Sequence, residues 1–220
     1  MAYIQNKRVT FGQLMSGTAA ELVAIARPIA IYLAAFLALA VLESVLPGDV
    51  GILGLAGFAA YWIGRYWLYR CALGENGRPT SSDIGPIFML FAMVVLIAIP
   101  MYIGALFFII PGIILGAKWV MSPTFLVAEH RNVVEAMGHA WHASSGNTVQ
   151  LAFAYTALII IWAIIFSVVS ALLRQLLPGA VDNLLSNLAI HGLPIVLLGL
   201  SVTAWRHLGS GAETLADVFE

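Results

Sequence analysis

Six stretches of this chain are apolar over lengths close to the thickness of a bilayer, and few architectures can accommodate that repetition. They cover residues 28–46, 50–69, 86–110, 112–128, 148–173 and 188–208. A helix rises about 1.5 Å per residue and the hydrocarbon core is roughly 30 Å thick, so about 20 apolar residues suffice to cross it. Composition agrees: 61% of the side chains are hydrophobic, 10% are charged and mean hydropathy is +0.96. That leaves too little polar surface to cover a water-soluble globule of 220 residues. The expected fold class is all-α, a polytopic transmembrane helical bundle of about six spans with amphipathic surface helices, forming one membrane domain over residues 1–220.

The connections between spans are read from turn chemistry. Leu46-Pro47-Gly48-Asp49 is a tight turn between the first two spans, and residues 70–85 form a polar loop rich in Gly, Ser and Pro. Pro111-Gly112 interrupts a stretch too long for one helix, which predicts a hairpin there. Pro100 should kink the third span. Tyr61, Trp62, Tyr66, Trp67 and Tyr69 close the second span as an aromatic belt at the interface.

Three segments are amphipathic rather than continuously apolar. Residues 10–26 predict a helix lying on the membrane surface, opened by Thr10 and Gln13 as a capping box. Residues 129–147 place Val133, Met137, Ala140 and Trp141 on one helical side and form a cytoplasmic amphipathic segment. Residues 174–187 predict a short amphipathic connection.

Charge sets orientation and excludes some functions. A net charge of −1 without a basic cluster does not suit nucleic acid. Cys71 is the single cysteine, so no intramolecular disulfide framework is expected. Residues 1–27 interleave polar and apolar side chains, so no cleaved leader is expected. With six spans, Lys7, Arg8, Arg27, Arg70, Arg78, Arg131 and Arg206 gather near one face and Arg174 lies on the other, which predicts cytoplasmic termini.

The run Pro111-Gly112-Ile113-Ile114-Leu115-Gly116-Ala117-Lys118-Trp119 leads through Ser122-Pro123 to Glu129. Glu135-Ala136, Trp141 and Gly146-Asn147 follow, and Phe11-Gly12-Gln13-Leu14 opens the chain. This pattern resembles the bacterial family of uncharacterised multi-pass proteins related to the membrane domain of glycerophosphoryl diester phosphodiesterases. The resemblance implies a six-helix fold in the bacterial inner membrane. It implies no hydrolysis, because the chemistry of the named relatives belongs to a separate soluble domain.

Lys118 is the sharpest candidate for a polar site, since a cation within a span normally faces protein, water or an acidic partner. Glu43 in the first span and Glu129 at the end of the fourth are candidate partners. Such a site would suit an anionic or lipid headgroup, while snorkelling or a structural ion pair is the simpler role. Glu129, His130, Glu135, His139 and His142 contain imidazole and carboxylate donors of the kind that bind zinc or iron, with His139 and His142 on one helical side. The same spacing also describes a solvated face, and no metal is expected. His191 is a candidate pigment or haem ligand without a second histidine to support it, and no cofactor is expected. Gly51, Gly54 and Gly57 recur where small residues allow helices to approach.

No nucleophile elbow, His-Glu-x-x-His or phosphate-binding glycine loop is present in the sequence. The expected function is a non-catalytic accessory or assembly subunit contacting membrane lipids and other integral membrane proteins. The alternative is a transporter or lipid-handling protein using Lys118 and Glu43.

Overall fold

The computed structural model describes residues 8–45, 50–74, 83–107, 109–176 and 182–209. Among these residues it is all-helical, without a strand, in the order α1 (Phe11–Ala24), α2 (Ala26–Val45), α3 (Val50–Ala72), α4 (Ile84–Phe107) and α5 (Ile109–Trp119), then α6 (Ser122–Ala128), α7 (Val133–Ala143), α8 (Thr148–Leu176) and α9 (Asp182–Leu208). The expected turn at residues 46–49 and most of the polar loop after α3 lie outside the described residues, as do the side chain of Glu43 and the surroundings of Gly51. Ile84–Gly104, Ile109–Ala128, Thr148–Leu176 and Leu185–Leu208 are long and apolar enough to cross a membrane. Phe11–Ala24 together with Ala26–Leu39, bent by 66°, supplies a fifth such segment.

α1 starts as its sequence predicts. Gln13 N–H donates to Thr10 Oγ1 at 3.3 Å and Thr10 N–H donates to Gln13 Oε1 at 2.9 Å, which satisfies two donors left free at a helix start. The helix packs closely on α9, with Leu14 and Thr18 fully inside. Small residues make the approach: a Cβ at Gly17 would stand 2.4 Å from Thr203 Cγ2, and one at Gly199 would stand 3.1 Å from Thr18 Cγ2. α1 therefore belongs to the bundle as well as to its edge.

The aromatic cluster at the end of α3 departs from the expected interfacial belt. Trp62, Tyr66 and Tyr69 are buried. Their spacing puts them on one helical side, and α3 packs there against its neighbours α2, α4, α6 and α9, with Trp62 edge to face on Phe91 of α4 at 5.1 Å.

The hairpin expected at Pro111-Gly112 is displaced. α5 begins at Ile109, so Pro111 falls in its first turn, where the missing N–H has no intrahelical role. Gly112 makes a packing contact: a Cβ on Gly104 of α4 would lie 3.1 Å from Gly112 N. α5 alone is only 11 residues long, and Ile109–Ala128 is interrupted at residues 120–121 before α6. Pro123 sits at the start of α6, where a helix accepts it without losing a hydrogen bond.

α7 is capped by Asn132, whose Oδ1 accepts from Glu135 N–H at 2.9 Å, and it buries Ala136 and Ala140. Gly146, at φ +85°, makes the turn into α8. Beside it Asn147 Oδ1 accepts from Val9 N–H at 2.9 Å and ties the start of the chain to α8. Of the expected connection over residues 174–187, residues 177–181 lie outside the described residues; on either side of them α8 runs to Leu176 and α9 begins at Asp182. The densest core lies where α6 and residues 198–204 of α9 meet α1 and the end of α3.

Candidate ligand-binding site

At the other end of α9 the bundle opens. A cavity of about 430 Å³ lies between α2, α3 and α9, within the range of small-molecule pockets. Helical periodicity supplies its wall. On α3, Gly54, Gly57, Phe58, Tyr61 and Trp62 recur at intervals of three and four, so they share one side of the helix. Phe36 and Leu39 of α2, and Asn187, Ile190 and His191 of α9, follow the same rule.

His191 is the buried polar side chain of this wall, 5% exposed. Tyr32, one turn before Phe36, holds it through a 2.7 Å hydrogen bond between Oη and Nδ1. The Phe36 and Tyr61 rings lie 4.0 Å and 5.3 Å from the imidazole centroid. Tyr61, Trp62 and Phe58 stand edge to face in succession, at 5.0 Å and 6.3 Å, the arrangement aromatic quadrupoles favour.

Two glycines away from the wall make this geometry feasible. A Cβ on Gly64 would meet Tyr32 Cε2 at 2.6 Å, so α3 must be bare there for Tyr32 to reach His191. A Cβ on Gly192 would overlap Trp162 of α8, at 1.9 Å. At Gly54, by contrast, a Cβ would meet nothing within 4 Å. Gly54 thus leaves open space on the cavity wall.

Behind the wall stands Arg65, a cation in the middle of α3 that charge counting along the chain passed over. Its Nη1 donates to Tyr61 Oη at 3.2 Å, and its guanidinium carbon lies 5.8 Å and 5.7 Å from the Tyr61 and Trp62 ring centroids. Tyr69, one turn beyond Arg65, is buried on the same side of α3, and deeper in the core Ser201 Oγ lies 2.6 Å from Thr124 Oγ1. A row of polar side chains therefore runs from the cavity wall into the core. Its signal in the sequence is the four-residue spacing Tyr61, Arg65, Tyr69, which puts two phenols on the side of the helix that carries the charge.

The other candidates fall elsewhere. Lys118 Nζ lies 4.0 Å from the Trp141 ring centroid, a cation–π contact with α7, and the Trp119 ring lies tilted against the same indole at 5.7 Å. Glu129 accepts from Arg131 Nε and, at 3.1 Å, from Trp205 Nε1. Arg131 Nη1 also donates to His139 Nε2 at 2.9 Å. Glu129 and His139 are thus joined through one guanidinium, while His142 is exposed on α7. His130 occupies the left-handed region at φ 49°, ending α6. Among the described residues no group of three or more His, Cys, Asp or Glu side chains is placed to hold a metal ion.

Among the described residues, these features define an all-helical fold with four or five helices long and apolar enough to cross a membrane and a pocket lined by aromatic rings. Compared with known proteins, it matches no family model, and no curated protein or solved structure is significantly similar to it.

Proposed function

We propose that the chain is a non-catalytic integral membrane protein that holds an apolar ligand, drawn from the bilayer, in the cavity between α2, α3 and α9. The observation that carries this reading is the cavity itself: aromatic walls, one tethered imidazole and no packed side chain across from Gly54. The reading keeps lipid handling as the function and moves its centre from Lys118 and Glu43 to His191. It includes a six-span topology in a bacterial inner membrane, with α3 as the second span and both termini cytoplasmic.

The test is lipid extraction from the protein purified in mild detergent, followed by mass spectrometry. Wild-type protein is expected to carry an apolar molecule that Gly54→Leu, which fills the cavity from an open position, largely displaces. Equal occupancy in both proteins overturns the reading.

A second reading, an accessory subunit bound to other membrane proteins, is favoured by the outer surfaces of α4 and α8. Only 11% and 6% of their apolar windows are buried within the chain, which leaves two long helix faces for lipid or for a partner. A stoichiometric partner retained on native purification, and lost when Phe153 on the exposed face of α8 is changed to Ala, would establish it.

A further inference from the structure

We infer that the ligand of this cavity is an isoprenoid quinone, bound as the oxidised ring with its carbonyl oxygens accepting hydrogen bonds from the wall. This rests on the reading of the cavity as a ligand site and specifies the chemistry of its occupant.

The first observation is the polarity of the hydrogen-bonding groups. A phenol is the stronger acid and an imidazole nitrogen the stronger acceptor, so Tyr32 donates to His191 Nδ1 and the ring proton resides on Nε2. Tyr32 holds the imidazole from behind, and His191 is itself part of the cavity wall. Nε2 hydrogen-bonds to no described residue, and it is not one of the fully enclosed unpaired atoms. It therefore offers a donor at the edge of the cavity.

Tyr61 repeats the pattern. Its oxygen already accepts from the Arg65 guanidinium, which leaves the phenol proton to be donated and makes it a better donor. The unpaired indole N–H of Trp62 is fully enclosed, so Trp62 gives the cavity its ring and not a donor. Two residues of this wall, His191 and Tyr61, thus carry N–H or O–H groups in need of acceptors, and leaving such groups unmade inside a membrane is expensive.

The complementary ligand has acceptors, a flat ring and a hydrocarbon body. A quinone fits each requirement: two carbonyl oxygens and no donor, a conjugated ring to stand against Phe36, Tyr61 and Trp62, and an isoprenoid tail that continues into lipid. A glycerolipid ester offers the acceptors without the ring. A haem or chlorophyll-type pigment would need the lone pair of Nε2, which this tautomer does not present.

The experiment uses the full chain in phospholipid nanodiscs titrated with decylubiquinone, following tryptophan fluorescence, with Trp62→Phe to isolate the contribution of the cavity. Saturable quenching carried by Trp62 is expected. Gly54→Leu should abolish it, and His191→Phe and Tyr61→Phe should each weaken binding by about 3- to 10-fold, what one net hydrogen bond contributes. Both variants keep an aromatic ring in place, and Tyr61→Phe reads out the donor even where His191→Phe disturbs the fold.

If extraction shows a Gly54-dependent lipid that decylubiquinone does not displace, the cavity reading stands and the quinone falls. Haemin binding with a Soret shift that is lost in His191→Phe also overturns the quinone. Quenching that is indifferent to Gly54→Leu overturns both.

Discussion

A methyl group added at Gly192 and one added at Gly54 meet opposite surroundings, although both residues lie beside the same cavity. At Gly192 the new carbon would overlap the Trp162 indole, which must then shift away from α9. Gly192→Ala should therefore lower stability by about 1–3 kcal/mol or more, with partial rescue by Trp162→Leu, both read from thermal unfolding in detergent. Gly54→Ala meets open space, and Ala is the better helix former by up to about 1 kcal/mol. Its melting temperature should be unchanged or raised. A third residue-scale prediction concerns Tyr32→Phe, which deletes the donor to His191 Nδ1 and leaves that nitrogen buried. It should cost about 1 kcal/mol, and unchanged unfolding would show that the tie does not hold the ring. The periodicity of small residues was visible in the sequence. Which glycine meets a neighbour and which faces a void depends on the helix opposite, and no spacing encodes that.

At the scale of the helix, α3 and α5 show how the same type of residue takes different roles. Both carry a cation. Lys118, at the end of α5, lays its ammonium over Trp141 of α7 near the bundle's edge. Lys118→Met keeps most of the stem packing and loses a contact of about 0.5–1 kcal/mol. Arg65 lies inside α3 and donates to Tyr61 Oη while the Tyr61 and Trp62 rings flank it. Arg65→Leu removes the donor to Tyr61 Oη and both cation–π contacts, and should destabilise the bundle by about 1–3 kcal/mol. The comparison is made by unfolding both variants in one detergent, and a larger loss from Lys118→Met than from Arg65→Leu would reverse this ranking. Sequence reasoning favoured Lys118 because it stands alone in an apolar run. Arg65 was hidden by the aromatic residues around it, which read as a membrane-interface belt and turn out to be its partners.

For the molecule as a whole, the arrangement of helices across the membrane is open to direct measurement. The proposed topology of six spans with cytoplasmic termini would place the α7–α8 turn in the cytoplasm and the end of α8 in the periplasm. In a Cys71→Ala background, Arg174→Cys should react with an impermeant maleimide in intact cells. Ser145→Cys, exposed in the α7–α8 turn, should react only after the membrane is opened. The reverse pattern would invert the orientation, and labelling of both from outside would change the number of spans.

The class of fold was legible from the chain alone, because the length of an apolar run against the thickness of a bilayer is a one-dimensional comparison. The capping boundaries of α1 were legible for a similar reason: Thr10 and Gln13 satisfy each other within one turn. The displaced hairpin at α5, the inward aromatics of α3 and the docking of α1 on α9 were decided by contacts between distant segments. The same holds for the cavity. His191 and Tyr32 are 159 residues apart, and their meeting depends on Gly64 admitting the Tyr32 ring and Gly192 admitting Trp162. Sequence determined that these helices would form and prefer lipid; tertiary packing decided which of their faces leave a space between them.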